Sequence, residues 1–145
     1  MPPLQVFDTT IEVTEADLPE DRFSDHVNNA RYFAFINRAF QGWYRAMDIR
    51  GGIPGRTAVM AHLAYDFLHE VRPPGRVRVR LMVSRAGRTS LEHAIEIHDL
   101  DVPPGDAPAL AGRGRAVHVW FDRDARRSLP WPPEVLARCL PPAPA

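Results

Sequence analysis

The sequence predicts an α+β fold in which one long helix packs on a single face of a curled antiparallel sheet, and three observations point there. The segment behind Asn29 carries apolar residues at helical spacing over a wide arc. Most of the remaining chain consists of runs in which apolar and polar residues alternate. Those runs are joined by turns too short for the crossovers that parallel strands need. A helix that buries so broad a face requires a sheet to cover it. The other sheet face, with its arginines, histidines and acids, is too polar for a second core and is therefore wet or shared with another subunit.

The elements follow in order. Leu4 to Val13 is rich in β-branched residues and forms a first strand. Ala16 to Ser24 is polar, contains Pro19 and is expected to be a loop leading to the helix. From Ala30 to Met47, Phe33, Ile36, Phe40, Tyr44 and Met47 fall on one line, with Tyr32, Phe35, Ala39 and Trp43 beside it. Gly51, Gly52, Pro54 and Gly55 end that helix. Thr57 to Glu70 reads as a strand with Val59, Ala61, Leu63, Tyr65 and Phe67 on one face. Arg72-Pro73-Pro74-Gly75 is a turn, and Arg76 to Ser84 is a strand with Val77, Val79, Leu81 and Val83 inward and Arg76, Arg78 and Arg80 outward. Leu91 to Leu100 is the next strand, with Leu91, Ile95 and Ile97 on one side, and Asp101 to Pro108 is a loop. Leu110 to Phe121 is a last long strand, in which Gly112 and Gly114 suggest a bulge or a close approach. A short helix over Pro132 to Leu140 and a frayed tail, Pro141 to Ala145, complete a single domain spanning 1–145.

Composition excludes several classes. Formal charge is balanced, which gives no field for nucleic acid. Every basic residue besides histidine is arginine, a feature that genome composition explains, although guanidinium groups also hold phosphates well. The single cysteine, Cys139, excludes an internal disulfide and fits a reducing compartment. Neither a signal peptide nor an apolar run long enough for a bilayer is present, so a soluble, cytoplasmic protein is expected. His62, His93, His98 and His118 show no metal-ligand spacing, and no metal or other cofactor is expected.

Chemistry concentrates at Asp25-His26-Val27-Asn28-Asn29. Asn28 and Asn29 are good helix caps, and the free N–H groups of a first helical turn, aided by the helix dipole, would face whatever lies near His26. A titratable ring, amide side chains and a positive helix end meet in one place.

His26-Val27-Asn28-Asn29-Ala30-Arg31-Tyr32-Phe33, between a first strand and a long helix, resembles the HVNN-x-x-Y signature of the hotdog-fold acyl thioesterases. That superfamily includes 4-hydroxybenzoyl-CoA thioesterase-like enzymes and acyl-acyl-carrier-protein thioesterases. Phe67-Leu68-His69-Glu70-Val71 and Gly87-Arg88-Thr89-Ser90-Leu91 resemble later segments of the same pattern, and the likeness in element order spans nearly the whole chain. The resemblance implies hydrolysis of an acyl-CoA or acyl-carrier-protein thioester, a homodimer or dimer of dimers with the site at the subunit interface, and a helix start aimed at the thioester carbonyl. Amides fixed there can hold the oxyanion that forms when the thioester is attacked, while a carboxylate activates water or attacks directly.

The departures from the family pattern matter as much. Where the commonest bacterial pattern has aspartate four residues before the histidine, this chain has Arg22, with Asp21 one position earlier. Asp25 replaces the usual glycine, and Asn37 and Arg38 stand where another branch has a helical glutamate. His26 and Glu70 match the plant-type scheme, but Ser24 occupies its asparagine position.

The resulting assignment gives His26 and Asn28 the task of positioning the carbonyl or water, with Asp25 or Glu70 as the carboxylate. Each has a plainer alternative: His26 as a pin between loop and cap, Asn28 as a cap, Asp25 as a complement to the helix dipole, Glu70 as a solvated strand end. Val27, Asn29, Tyr32 and Arg88 are expected at the substrate, Arg88 through the coenzyme phosphates, although for Asn29 a structural hydrogen bond is the preferred role. Tyr32, Phe33, Phe35 and Trp43 could line an acyl pocket, but aromatic residues on a core helix more often pack. Cys139 is expected to be inert. Two rivals remain: a hydratase or dehydratase acting on an acyl thioester, and a non-catalytic acyl-thioester binding protein.

Overall fold

The computed structural model describes residues 3–21, 24–48, 54–103 and 106–141. The elements run β1 (Val6–Val13), α1 (Asn29–Ala46), β2 (Arg56–Phe67), β3 (Gly75–Ala86), β4 (Ser90–Asp99), β5 (Ala109–Asp122), β6 (Arg127–Leu129) and α2 (Pro133–Cys139). The sheet has the order β1-β3-β4-β5-β2, with β6 added to the end of β5, and every pairing is antiparallel. Both β1 and β2 are edges. Alternation sets which residues face α1: β4 buries Leu91, His93, Ile95, Ile97 and Asp99 and leaves its other residues half-buried.

Helix α1 buries Tyr32, Phe35, Ile36, Ala39, Phe40 and Trp43, the i, i+3, i+4 stripe of a helix lying on a sheet. Phe33, expected on the centre of that face, lies at its exposed margin. The far end is tied down by α2, where the Arg138 guanidinium donates to the carbonyls of Met47 and Ala46 at 2.8 and 2.7 Å. The Trp43 indole N–H donates to Leu4 O, and Trp131, Val135 and Cys139 close the core.

Four further features differ from the sequence reading. A 3-10 turn, Glu15–Asp17, runs into the expected loop of Ala16 to Ser24 and is fixed by a capping box with Thr14. Strand β6 was not anticipated, being only three residues long. Strand β2 ends at Phe67 rather than Glu70, because the next two amides, of Leu68 and His69, both donate to Ala111 O. An irregularity between Met60 and His62 also inverts the facing of β2, so that Val59 is exposed while Met60 packs on the core and Tyr65 is buried.

The glycines of β5 serve both purposes suggested for them. The register slips between Gly112 and Leu110, and a side chain at Gly112 would strike the Tyr65 hydroxyl and Asp66 O, while one at Gly114 would strike Ala64 O. Parts of the expected loops, residues 49–53 and 104–105, and the tail beyond Pro141 lie outside the described residues, as does Arg22.

Candidate active site

The start of α1 is built by three backbone bonds that leave one donor over. Asn28 is the N-cap: its side-chain oxygen accepts from Ala30 N at 3.1 Å, and its carbonyl accepts from Arg31 N at 2.8 Å. Val27 N donates to Val71 O and Asn28 N to Asp17 O, both at 2.9 Å. Asp17, itself buried, accepts from Arg31 Nε at 2.8 Å and bolts the 3-10 turn to the first helical turn. Among the described residues, the N–H of Asn29 alone in this run from Val27 to Arg31 has no partner. It stands at the first helical position, where the backbone dipoles of α1 add up to a positive end.

Two shallow clefts meet at this point, and His26 and Asn29 line both. The first, of about 200 Å³, is bounded by Pro19, Ser24, Val27 and Asn28. The second, of about 240 Å³, is bounded by Tyr32, Phe67, Leu68, His69 and Glu70. Tyr32 stacks on Tyr65 at 5.6 Å between centroids and meets Phe67 edge-on at 5.3 Å, which makes one wall aromatic. Its hydroxyl accepts from Val71 N at 3.4 Å. Burial raises the Tyr32 pKa; the Val71 bond opposes this, and the nearby Asp99 and Glu70 charges add to it, so the phenol stays neutral. Larger hollows, about 530 Å³ between β1 and α1 and about 340 Å³ on the outer sheet face, border neither His26 nor Asn29, although the first reaches Asp17 and Arg31 behind the first helical turn.

The charged residues cluster at the mouth. Ser24 Oγ lies 2.6 Å from His26 Nδ1, and Glu70 and Asp25 oxygens lie 3.8 and 3.9 Å from the same nitrogen. Arg72 spans both acids, with Nε 3.2 Å from Asp25 and Nη2 3.0 Å from Glu70. Asp25 has 79% of its side chain exposed and borders neither cleft, whereas Glu70 borders the second.

The structure therefore gathers Asp25, His26, Val27, Asn28, Asn29, Tyr32 and Glu70 around one helix start. It leaves Arg88 apart, exposed in the β3–β4 turn, at the other end of the twelve-residue β3 from the Arg72 turn. Asn28 caps the helix and borders the first cleft, whereas Asn29 borders both clefts. Residues not anticipated here are His69 and Asp99, whose side chains meet at 3.2 Å. The available signal was the position of His69 beside Glu70 at the end of an apolar strand. Burial raises the Cys139 pKa to about 11, which keeps the thiol protonated and unreactive.

Among curated proteins, none matches this chain. Solved structures do. A Pseudomonas aeruginosa protein named as a candidate thioesterase is 27% identical, with TM-score 0.77 over 90% of this chain and 95% of its own. A 1,4-dihydroxy-2-naphthoyl-CoA thioesterase from Synechocystis shares the fold at 17% identity, TM-score 0.76, covering 92% of this chain and 95% of its own. A 4-hydroxybenzoyl-CoA thioesterase variant bound to 4-hydroxybenzoyl-CoA does so at 14% identity, TM-score 0.78, covering 94% and 99%. The helix wrapped by its antiparallel sheet is thus the hotdog fold. With a family model described as the thioesterase-like superfamily matching residues 16–139, the chain belongs to that superfamily.

Proposed function

We propose that this protein hydrolyses the thioester of an acyl-CoA or an acyl-carrier protein to a free acid and a thiol. The observation that carries the reading is the unpartnered Asn29 N–H at the positive end of an eighteen-residue helix, opening onto clefts that also hold His26. A thioester carbonyl set against that amide develops negative charge on oxygen as water adds, and a donor already in place stabilises the charge without reorganisation. His26, held by Ser24, lies beside the same carbonyl and orients it or the water. Phe67, Leu68 and Tyr32 offer an apolar wall for the acyl group. Membership of the superfamily and the acyl-CoA thioesterases among its structural neighbours support hydrolysis in general.

A homodimer, or a pair of them, fits the same reading. Strand β2 is a sheet edge bonded only to β5 among the described residues, and Val59, Phe67 and Leu68 on and after it are exposed. Such an edge is a template for a second copy, which would complete the shallow clefts.

Proline tests the amide directly. The first position of a helix tolerates proline, and the extended Asn28 before it, with ψ of 133°, suits a residue preceding proline. Asn29→Pro should therefore fold normally and lower kcat about 100-fold, the size reported for losing one oxyanion donor, while Asn29→Ala keeps the amide and most of the rate. Turnover of acyl-CoA esters is read by thiol release. A fully active Asn29→Pro would remove the amide from the mechanism. Hydration without thiol release would indicate a hydratase, and binding without any turnover would indicate an acyl-thioester binding protein.

A further inference from the structure

We propose that His69, held by Asp99, is the general base that activates the attacking water. This rests on the hydrolytic reading and names the group in that site which takes the proton. His69 and Asp99 are thirty residues apart in sequence and are joined by two features of the sheet. Asp99 is the last inward-facing residue of β4, and its side chain is only 12% exposed. The slip in β5 presents Ala111 O to the amides of both Leu68 and His69, which fixes the backbone of His69 where β2 leaves the sheet.

The geometry is that of a base with an orienting partner. His69 Nε2 lies 3.2 Å from Asp99 Oδ2, while Asp99 Oδ1 accepts from Asp101 N at 3.0 Å, so the carboxylate is held on both oxygens. With Nε2–H directed at Asp99, the tautomer leaves Nδ1 as the acceptor, and Nδ1 has no partner among the described residues. The ring is 43% exposed and lines the cleft with His26, Asn29 and Glu70. The two carboxylates beside His26, of Asp25 and Glu70, are placed differently, because Arg72 engages both of them and Asp25 borders neither cleft. Of the imidazoles, His26 already has Ser24 on Nδ1.

The step balances without a further reactant. Water attacks the thioester carbon as one of its protons passes to His69 Nδ1, leaving a tetrahedral oxyanion on the Asn29 N–H. The intermediate collapses, the carbon–sulfur bond breaks, and the departing sulfur takes the proton from the imidazolium. Acid and thiol leave, and the neutral ring is restored. The positive ring formed midway faces the Asp99 carboxylate, with Glu70, His26 and the neutral Tyr32 as the other titratable groups lining its cleft and Asp101 bonded to Asp99. Asp99 acts through His69 and is a positioning residue.

The experiment compares the intact wild-type protein with His69→Gln, Asp99→Asn and Glu70→Gln on acyl-CoA esters, reading thiol release across pH. His69→Gln should lower kcat about 100-fold or more, the size of a lost general base, with KM little changed. It should also abolish the fall in kcat/KM on the acid side, which His26→Gln should retain. Asp99→Asn should lower kcat by a smaller factor and shift that acid limb, an effect a merely structural role would not produce. Glu70→Gln should stay within about 10-fold of wild type, below the range of a lost base. Wild-type turnover with an undiminished His69→Gln overturns the base assignment alone, as does a Glu70→Gln that loses both the rate and the acid limb. Absence of thiol release by wild type from every ester overturns the hydrolytic reading and the base with it.

Discussion

Two pairs of histidines in this molecule occupy opposite surroundings. His26 and His69 sit at the mouth of the site, 37% and 43% exposed, each within 4 Å of a carboxylate. His93 and His118 point inward from β4 and β5 beneath α1, with 0% and 1% exposure, and none of their four ring nitrogens has a hydrogen-bond partner among the described residues. Their neighbours are rings: Phe40 lies 5.0 Å from His93 and 4.4 Å from His118, and Trp43 lies 4.8 Å from His93. Burial, with a smaller contribution from His118, drives the His93 pKa down to about 3, and burial takes His118 to about 4. The same side chain is a candidate proton carrier where acids and water reach it and a neutral filler where they do not.

The core pair offers the sharpest way to break that contrast. Phe40→Ala removes the ring that shields both imidazoles and should cost roughly 3–5 kcal/mol of stability in denaturant unfolding. If water then enters, the two histidines titrate more normally, and the acid sensitivity described next should shrink. An unaltered acid sensitivity in a folded Phe40→Ala protein would mean that the shielding comes from elsewhere.

Acid should destabilise the wild-type protein through this pair, and the sign follows from where the protons bind. An unfolded histidine takes its proton near pH 6.5, whereas the folded rings resist it until about pH 3 and 4. Between those limits the unfolded state binds more protons, so stability is greatest above pH 6.5 and falls as pH drops. At pH 5 the loss should be about 2 kcal/mol for each imidazole, read as a falling Tm. His93→Leu should flatten that profile, because it removes two buried nitrogens that lack partners as well as a titrating group.

At the mouth the corresponding effects on stability should be small. Arg72 is 58% exposed and pairs with two exposed acids, so Arg72→Ala should change unfolding free energy by about 1 kcal/mol or less. A larger loss would show that the cluster is structural, and the contrast with the core would weaken.

The helix and the β3–β4 hairpin were legible because their signal is local: apolar residues recur at 3.6 or 2 residues, and Tyr32 to Trp43 or Val77 to Leu81 obey it. The capping box that joins Thr14 to Asp17 is also a local signal, although polarity and Pro19 make Ala16 to Ser24 read as loop. What escaped depends on contacts between distant strands. The slip at Met60/His62 moved Val59 outward, and no residue in β2 marks it. The slip in β5 was hinted at by Gly112, yet the meeting of His69 with Asp99 depends on how β2, β4 and β5 end together. The helix start is legible in its sequence, but which amide stays free is decided by Asp17 O and Val71 O, two acceptors supplied from outside the motif.

The grip of Arg138 on Ala46 and Met47 makes the last turn of α1 depend on a residue 92 and 91 positions downstream. Translation finishes the lower end of that helix only when the final short helix arrives, whereas its upper end is secured by neighbours made much earlier. Cutting the chain just ahead of Arg138 should therefore fray the rod at the end remote from the chemistry first.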